Sequence, residues 1–580
     1  MTNYNKTPLF PIEGKLFFEW NSVLTELNLK IKNSSSDHFI LVIECYQGVD
    51  HNELIGAFDN LYADTFIHSE DAFYSEKEIR EITTPDVTDD AIFGFMTRLT
   101  YDQFMDPEKV IALREKINKS TGLTIVYGHA ASLIIDEYDC LVYADMSRWE
   151  IQLRQRNHEV NNLGIKNSDE TPGFQYKRGF FVDWRVCDRL KQQLFNKADY
   201  WLDTNKKNNP KMISTQTLLD GLTAISKSPF RVVPYFDPGP WGGQWMKDVC
   251  GLDKSKSNFA WSFDGVPEEN SLLFDIDGEV FEIPAINLVF YKSKELLGEP
   301  VESRFGKEFP IRFDFLDTMD GGNLSLQVHP TTQYIRETFG MNYTQDESYY
   351  MLDANPDARI YLGVKTDCDN RAMISDLEKA QQTGCEFDAE KYINKFPAKK
   401  HDHFLIPNGT IHCSGANAMV LEISATPYIF TFKLYDWQRL GLDGKPRPIN
   451  IAHGKNVIQW DRNTEYCLTN LVGQVELIAE GDGWREERTG LHKNEFIETR
   501  RHWFTKEVVH QTGDSVNVLN LIEGSEAIVE SPTNAFKPFI VHYAETFIIP
   551  AAVGAYTIRP YGESEGKMCA TIKAYIRHCC

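Results

Sequence analysis

The chain has 580 residues, 42% of them apolar and 25% charged, which is the composition of a globular protein. This length exceeds what one hydrophobic core supports, so we expect two to four domains. Eighty-four acidic against 60 basic residues give a formal charge of −24, which disfavours nucleic-acid binding because such a surface repels a phosphate backbone.

Neither membrane insertion nor export is expected. No apolar run approaches the ~20 residues that cross a bilayer. The N-terminal residues from Met1 to Lys6 lack the basic and apolar regions of a secretory signal, so we expect a cytoplasmic protein. The 11 cysteines show no CxxC spacing, which argues against a zinc ribbon and favours reduced, buried thiols.

Strand and helix patterns alternate over residues 37–226. The apolar runs His38–Cys45, 123–128 and Cys140–Asp145 are typical of buried strands. Helices are expected near residues 52–58 and over the Arg-rich segment Arg148–Arg156. Strands separated by helices predict a doubly wound parallel sheet, and we assign an α/β domain to residues 1–228.

The order of these elements resembles that of P-loop small-molecule kinases of the uridine kinase type. Residues 70–74 look like their acidic-aromatic substrate segment, and the Arg-rich helix stands where their lid begins. A P-loop needs several glycines to bring backbone N–H groups onto phosphate, and a lysine to add charge. Residues 45–53 keep only Gly48, and His51 replaces the lysine. We therefore expect a degenerate P-loop domain that serves as a scaffold or interface.

Beyond this domain the sequence is rich in strand patterns. Three prolines and Gly239 within residues 234–240 indicate a domain boundary. Alternating strands with frequent turn residues then suit jelly rolls. We predict a metal-binding domain over residues 229–462, with a helical insertion near 371–396, and a second jelly roll over residues 463–580.

Four side chains in the first β-rich domain form a candidate metal site. Gln327 and His329 are two residues apart on a predicted strand, so their side chains point to the same face. Glu347 precedes an aromatic strand, and His412 follows the tight turn of residues 407–410. One amide oxygen, two imidazoles and one carboxylate suit Zn²⁺ with a position left open for substrate.

Other histidines receive a weaker assignment. His401 and His403 are second-choice ligands, but their charged neighbours indicate a surface turn. His129 and other isolated histidines are expected to be hydrogen-bonded core residues.

The β-rich blocks resemble class I mannose-6-phosphate isomerases, which are zinc enzymes of the cupin type. The resemblance covers roughly the last three-fifths of the chain and rests on residues 241–243, 324–330, 406–415, 434–439 and 443–447, with a weaker match in 518–524 and 547–554. It implies a cupin fold, zinc as cofactor and a small sugar phosphate as partner. The family's zinc ligands fall on Gln327, His329, Glu347 and His412.

The residues around the implied zinc site depart from the family pattern. Gln345 stands where the family commonly has a lysine, Ile429 where it has an aspartate and Lys433 where it has an arginine. Lys433 keeps a charge but loses the bidentate fork of arginine, and Ile429 cannot transfer a proton. Arg439 is retained. We therefore name Lys433 and Arg439 as candidate catalytic residues, and these two with Gln345 as candidate substrate-binding residues.

Three functions follow from these observations. The first is a zinc-dependent isomerase that interconverts mannose 6-phosphate and fructose 6-phosphate. The second is a non-catalytic protein that retains zinc and a sugar-phosphate pocket, which the departures at Gln345, Ile429 and Lys433 favour. The third, a bifunctional kinase and isomerase, is disfavoured by the degenerate P-loop. The sequence does not indicate an oligomeric state.

Overall fold

The computed structural model describes residues 3–426, 429–441, 444, 446–490, 492 and 495–577. The chain divides into two compact units, which we call the α/β unit and the β-rich unit. The α/β unit contains residues 9–224 and 271–291, and the β-rich unit contains the residues up to 8, 225–270 and those from 292 onward. Residues 271–291 thus belong to the α/β unit, although they lie inside the range predicted for the metal-binding domain.

The α/β unit is built on a seven-stranded sheet. Its strands, in spatial order, are Leu16–Phe18, Lys211–Ser214, Tyr200–Asp203, Cys140–Asp145, His38–Cys45, Gly122–Gly128 and Thr65–His68. The last five of these are mutually parallel, and the first two pair antiparallel at one edge. The three predicted strands are confirmed. Their near-continuous apolar sequences are typical of parallel strands that are covered on both faces.

Helices connect the parallel strands. They are Glu19–Lys32, His51–Phe58, Glu76–Val87, Pro107–Lys119, Ala131–Ile134, Arg148–Arg156, Pro172–Arg178, Trp184–Leu194 and Thr215–Ile225. The predicted helix Arg148–Arg156 is confirmed, and the side chain of Ser147 caps it by accepting a hydrogen bond from Glu150 N.

A small three-stranded sheet completes the α/β unit. It contains Leu9–Pro11, Ser271–Ile276 and Glu279–Pro284, and the helix Ile286–Tyr291 follows it. The side chain of Asn287 donates a 2.8 Å hydrogen bond to Asp145, which also accepts a 2.6 Å bond from Lys191. All three side chains are buried, so the late segment is joined to the core of this unit by a fully paired polar cluster.

The β-rich unit begins with two antiparallel sheets. Sheet I has the order His403–Ile406, Glu347–Ala354, Ala418–Ala425, Ile311–Asp317, Trp261–Gly265 and Tyr235–Asp237. Sheet II has the order Ile393–Pro397, Arg359–Val364, His412–Ser414, Leu326–Val328 and Phe432–Tyr435. Side chains of Glu347 in sheet I and His412 in sheet II meet, so the two sheets face each other at this point.

A second pair of antiparallel sheets follows. Sheet III has the order Glu476–Gly481, Trp484–Arg488, Ile497–Phe504, Cys569–Ile576, Asn517–Glu523 and Thr546–Ile549. Sheet IV has the order Val508–Gln511, Ala555–Pro560, Glu526–Glu530 and Phe539–His542. Leu519 and Phe547 of sheet III share a buried apolar cluster with Val529 and Tyr556 of sheet IV. The β-rich character predicted for both regions is therefore confirmed, and assignment of each sheet pair as a jelly roll stays a prediction.

Short helices border these sheets. They are Trp245–Val249, Ser293–Leu297, Glu299–Phe305, Thr332–Phe339, Asn370–Thr383, Ala389–Tyr392, Ile451–Gly454 and Thr464–Asn470. Among the described residues, no helix combines the length and the apolar character needed to span a membrane.

The insertion predicted near 371–396 is only partly helical. Helix Asn370–Thr383 buries Met373, Leu377 and Ala380, as its spacing predicts, and it ends at Gly384, whose φ is +70°. Residues 393–396 were expected to continue the helical region, which is wrong. They form strand Ile393–Pro397, which pairs antiparallel with Arg359–Val364 and buries Ile393.

Candidate metal centre

Register within sheet II places three polar side chains side by side. Gln327 is directly opposite His412 on one neighbouring strand and opposite Lys433 on the other. Directly opposed residues project to the same face of a sheet, so these three side chains share one face. His329 follows the strand that carries Gln327 and lies on that same side, and sheet I supplies Glu347 from across the interior.

The polar atoms of these residues converge on one point. Glu347 Oε1 lies 2.7 Å from His412 Nε2, and Glu347 Oε2 lies 3.1 Å from His329 Nε2. The carboxamide nitrogen of Gln327 lies 3.2 Å from His412 Nε2, and the carboxamide can present its oxygen there by rotation. His329 is 1% exposed, and Glu347 and His412 are fully buried. The structure thus brings together all four residues that the sequence suggested as ligands.

Hydrogen bonds behind the two imidazoles fix their orientation. His412 Nδ1 lies 2.9 Å from Thr410 O, and His329 Nδ1 lies 3.2 Å from Phe430 O. A carbonyl accepts only from a protonated nitrogen, so Nδ1 carries a hydrogen in both rings and Nε2 is the atom that faces Glu347. His329 Nε2 and Glu347 Oε1 are buried and make no hydrogen bond to a described residue. Two imidazole nitrogens and a carboxylate that converge in a buried site are the type of donor set that binds a divalent transition metal ion.

The carboxylate of Glu347 is held in its charged form. Burial by itself raises its pKa, but the opposing effect of His329 and His412 is larger and holds the pKa well below the usual value. A charged carboxylate at this position supplies one negative charge to a bound cation.

Gln345 is a positioning residue for two carboxylates. Its side-chain amide donates a 3.0 Å hydrogen bond to Glu347 Oε2 and a 3.2 Å bond to Glu422 Oε1. It is only 2% exposed, and its amide oxygen makes no hydrogen bond to a described residue. Where a substrate-binding side chain was expected, the structure places an amide whose two N–H groups are already engaged with protein.

Glu422 was not identified from the sequence. It is buried in sheet I opposite Tyr349, on the same face as Glu347, and Arg312 lies 3.4 Å away. Burial, reinforced by the charge of Glu347, raises the pKa of Glu422 to about 7. The available signal was a single acidic residue within the apolar run of residues 419–423, because a lone carboxylate in a buried strand usually has a specific role.

A cationic group lies beside the candidate ligands. Arg439 and Arg447 both contact the Asp436 carboxylate, at 2.7 and 3.2 Å. Arg439 also donates to the backbone oxygen of Asn323, so its guanidinium is engaged with the scaffold. Lys433 is half-buried and its ammonium makes no ion pair with a described residue. Of the two predicted catalytic cations, Lys433 is therefore the one available to an anionic ligand.

The remaining sequence assignments fall outside this cluster. Ile429 is half-buried in a turn. His401 has the expected turn conformation, with a φ of +72°. His403 does not, because it is buried in a strand of sheet I opposite Tyr350 and faces away from Glu347, 2.8 Å from Ser348 Oγ. Asp443, part of a family-like block, lies outside the described residues.

Comparison with curated proteins relates part of this chain to known enzymes. The YvyI protein of Bacillus subtilis (strain 168) is 23% identical over 338 residues, which are 58% of this chain and 97% of that protein. The mannose-6-phosphate isomerase ManA of the same organism is 24% identical over 236 residues, 40% of this chain and 69% of ManA. The mannose-6-phosphate isomerase of Streptococcus mutans is 26% identical over 220 residues, 38% of this chain and 64% of that enzyme. Over part of its length, the chain is homologous to mannose-6-phosphate isomerases.

Two further matches concern a solved structure and the α/β unit. The crystal structure of the mannose 6-phosphate isomerase from Bacillus subtilis matches with a TM-score of 0.48 and 21% identity. The match covers 60% of this chain and 100% of that chain. Residues 19–227 match a family model described as a domain of unknown function, DUF8485. The kinase resemblance of the α/β unit therefore stays a prediction.

Proposed function

We propose that the β-rich unit is a zinc-dependent isomerase of hexose phosphates that interconverts mannose 6-phosphate and fructose 6-phosphate. The convergence of Gln327, His329, Glu347 and His412 on one buried point carries this proposal. Homology to mannose-6-phosphate isomerases supports the reaction class and the substrate pair.

The reaction moves a proton between C1 and C2 of the sugar. A zinc ion held by the four ligands would polarise the carbonyl group and stabilise negative charge on the sugar oxygens. Glu422 is a carboxyl group on the same face as Glu347, and Gln345 joins the two through one amide. We assign proton transfer to Glu422, because it is a buried carboxyl on the same face of sheet I as Glu347 and is not itself a ligand. Lys433 would bind the phosphate.

Metal removal tests the proposed function directly. Purified protein should convert mannose 6-phosphate to fructose 6-phosphate in a coupled assay. Dialysis against a chelator should abolish turnover, and added Zn²⁺ should restore it. Full activity in chelated protein that contains no metal would contradict the proposal.

The role of Glu422 predicts a loss of turnover without a loss of metal. Glu422→Gln keeps the shape and the contact with Gln345 but removes the ionisable group. Loss of general acid-base catalysis typically costs about 10²–10⁴-fold, so we expect kcat to fall within that range. Zinc content, measured by mass spectrometry, should remain that of the wild type. A variant with unchanged kcat would remove Glu422 from the mechanism.

The role of Lys433 predicts an effect on substrate affinity. Lys433→Met removes the ammonium, and a hydrogen bond to a charged group contributes about 1.5–3 kcal/mol, so KM should rise roughly 10–100-fold. Lys433→Arg keeps the charge and should stay within a few-fold of the wild type. Equal KM values for the two variants would show that the phosphate binds elsewhere.

A second function is favoured by Gln345 and Ile429. These residues replace a lysine and an aspartate of the family pattern, which suits a protein that binds zinc and a sugar phosphate without turnover. Silent coupled assays with several hexose phosphates, together with a ligand-dependent rise in melting temperature, would establish this function instead.

We propose that the α/β unit has a kinase-like fold without a functional phosphate loop. Helix His51–Phe58 begins where such a loop would hold phosphate on backbone N–H groups. Asp50 caps this helix and accepts hydrogen bonds from Asn52 N and Glu53 N, so a carboxylate already occupies the anion position. Titration calorimetry with Mg²⁺ and ATP is expected to show no binding, and micromolar affinity would contradict this assignment.

A further inference from the structure

A second cluster of histidines lies in the α/β unit, at the carboxyl ends of three adjacent parallel strands. His51 begins the helix after His38–Cys45, and His129 directly follows Gly122–Gly128. His68 ends the third strand, and Glu70 follows it by two residues. In open α/β sheets this edge is where ligands bind, because loops from neighbouring strands meet there.

Three imidazoles surround one carboxylate oxygen. His129 Nδ1 lies 2.5 Å from Glu70 Oε1, and both His51 Nδ1 and His68 Nε2 lie 3.7 Å from that oxygen. The rings of His51 and His129 are 4.9 Å apart between centroids. One atom from each of His51, Glu70 and His129 can be chosen so that all three lie within 4.8 Å of one another.

Hydrogen bonding accounts for one of these contacts and leaves the others unexplained. His129 and Glu70 form a hydrogen bond, but the 3.7 Å distances from Glu70 to His51 and to His68 are too long for one. The Nε2 atoms of His51, His68 and His129 are buried and make no hydrogen bond to a described residue. Buried ring nitrogens normally have a partner, so each of these three rings still has a nitrogen available to a ligand.

We propose that His51, Glu70 and His129, with His68 as a fourth ligand, bind a divalent transition metal ion such as Zn²⁺. Imidazole nitrogens select zinc and its neighbours in the first transition series over Mg²⁺ and Ca²⁺, which prefer oxygen. Two or three imidazoles with one carboxylate match the composition of zinc sites that keep a position open. This would be a second metal ion in the chain, and its existence does not depend on the isomerase activity.

The proposed site opens into a cleft of about 380 Å³. Asp50, Glu76 and Glu159 line this cleft besides Glu70, against the single cation Lys166. An acidic cleft attracts metal cations and disfavours nucleotides, which agrees with the capped phosphate loop. His51, which stands where the kinase resemblance places the P-loop lysine, thus offers a ligand for a cation instead of a charge that binds phosphate.

Metal counting in the full chain tests this proposal. After incubation with excess Zn²⁺ and gel filtration, mass spectrometry should find two zinc ions per wild-type chain. His51→Ala with His129→Ala should leave one, His329→Ala with His412→Ala should leave one, and the quadruple variant should retain none. His38→Gln is the matched control, because His38 is a half-buried histidine at the opposite end of the strand that leads to His51, and it should retain two.

A spectroscopic measurement distinguishes this site from the first one. In the His329→Ala, His412→Ala background, Co²⁺ should produce visible d–d absorption that Glu70→Gln abolishes. Glu70→Gln keeps the size of the side chain, so circular dichroism should confirm an unchanged fold. One zinc per wild-type chain, with none in the His329→Ala, His412→Ala variant, would overturn the proposal, as would two zinc ions in the His51→Ala, His129→Ala variant.

Discussion

Replacing His412 with alanine is expected to remove the metal ion from the β-rich unit and to lower kcat/KM for mannose 6-phosphate by roughly 10³-fold or more. His412 is fully buried, and its Nε2 lies 2.7 Å from Glu347 Oε1. Stabilisation of charge by a metal ion supplies several kcal/mol, and each 1.36 kcal/mol corresponds to about tenfold in rate. His329→Ala should have the same effect, because its imidazole contacts the other oxygen of that carboxylate.

The matched control for these variants is His403→Ala. His403 is also a buried histidine of the β-rich unit, but it bonds to Ser348 and faces away from Glu347. The His403→Ala variant should retain zinc and most of the turnover, and its free energy of unfolding should fall. The assignment of the metal centre would be contradicted if His329→Ala and His412→Ala both retained full turnover, or if His403→Ala lost activity as completely as they did.

The second large effect concerns stability. Arg231 is 2% exposed on its side chain, and its guanidinium lies 2.7 Å from Glu545 and 3.6 Å from Asp264. Both carboxylates are buried, with 1% and 0% of the side chain exposed. Arg231→Met should lower the free energy of unfolding of the β-rich unit by about 3–5 kcal/mol, because it leaves two buried carboxylates without their cation. Chemical denaturation followed by tryptophan fluorescence measures this loss.

A surface ion pair of the same unit provides the comparison. Arg559 pairs with Glu530 at 2.8 Å, but their side chains are 35% and 29% exposed. Arg559→Met should cost less than about 1 kcal/mol, because solvent screens such pairs. Similar losses in the two variants would mean that burial of the Arg231 cluster does not determine its contribution.

The sequence by itself specified most of the secondary structure that supports the two sites. Strands His38–Cys45 and Cys140–Asp145 and helix Arg148–Arg156 have the predicted bounds. Local patterns suffice there, because the side-chain period and the capping residue act over a few residues. The same reasoning failed at residues 393–396, where pairing with a distant strand overrides a helical spacing.

The candidate ligands could be suggested from sequence because each lies in a distinctive block. Only the tertiary structure brings them together, since Gln327 and His412 are 85 positions apart and become neighbours through strand register. Glu422 and the role of Gln345 were not predictable, because they depend on which residue of sheet I stands beside Glu347.

The histidines of the α/β unit show the same division. Each of His51, His68 and His129 looks like an isolated residue in the sequence. His129 was expected to be a hydrogen-bonded core histidine, and it is indeed buried and hydrogen-bonded to Glu70. The parallel sheet adds its neighbours, because it brings the carboxyl ends of three separate strands to one edge and places all three rings around Glu70. Amino-acid sequence determines which donor atoms the chain contains. Only the tertiary structure determines which of them lie close together, because strand order sets the distances between residues that are far apart in the chain.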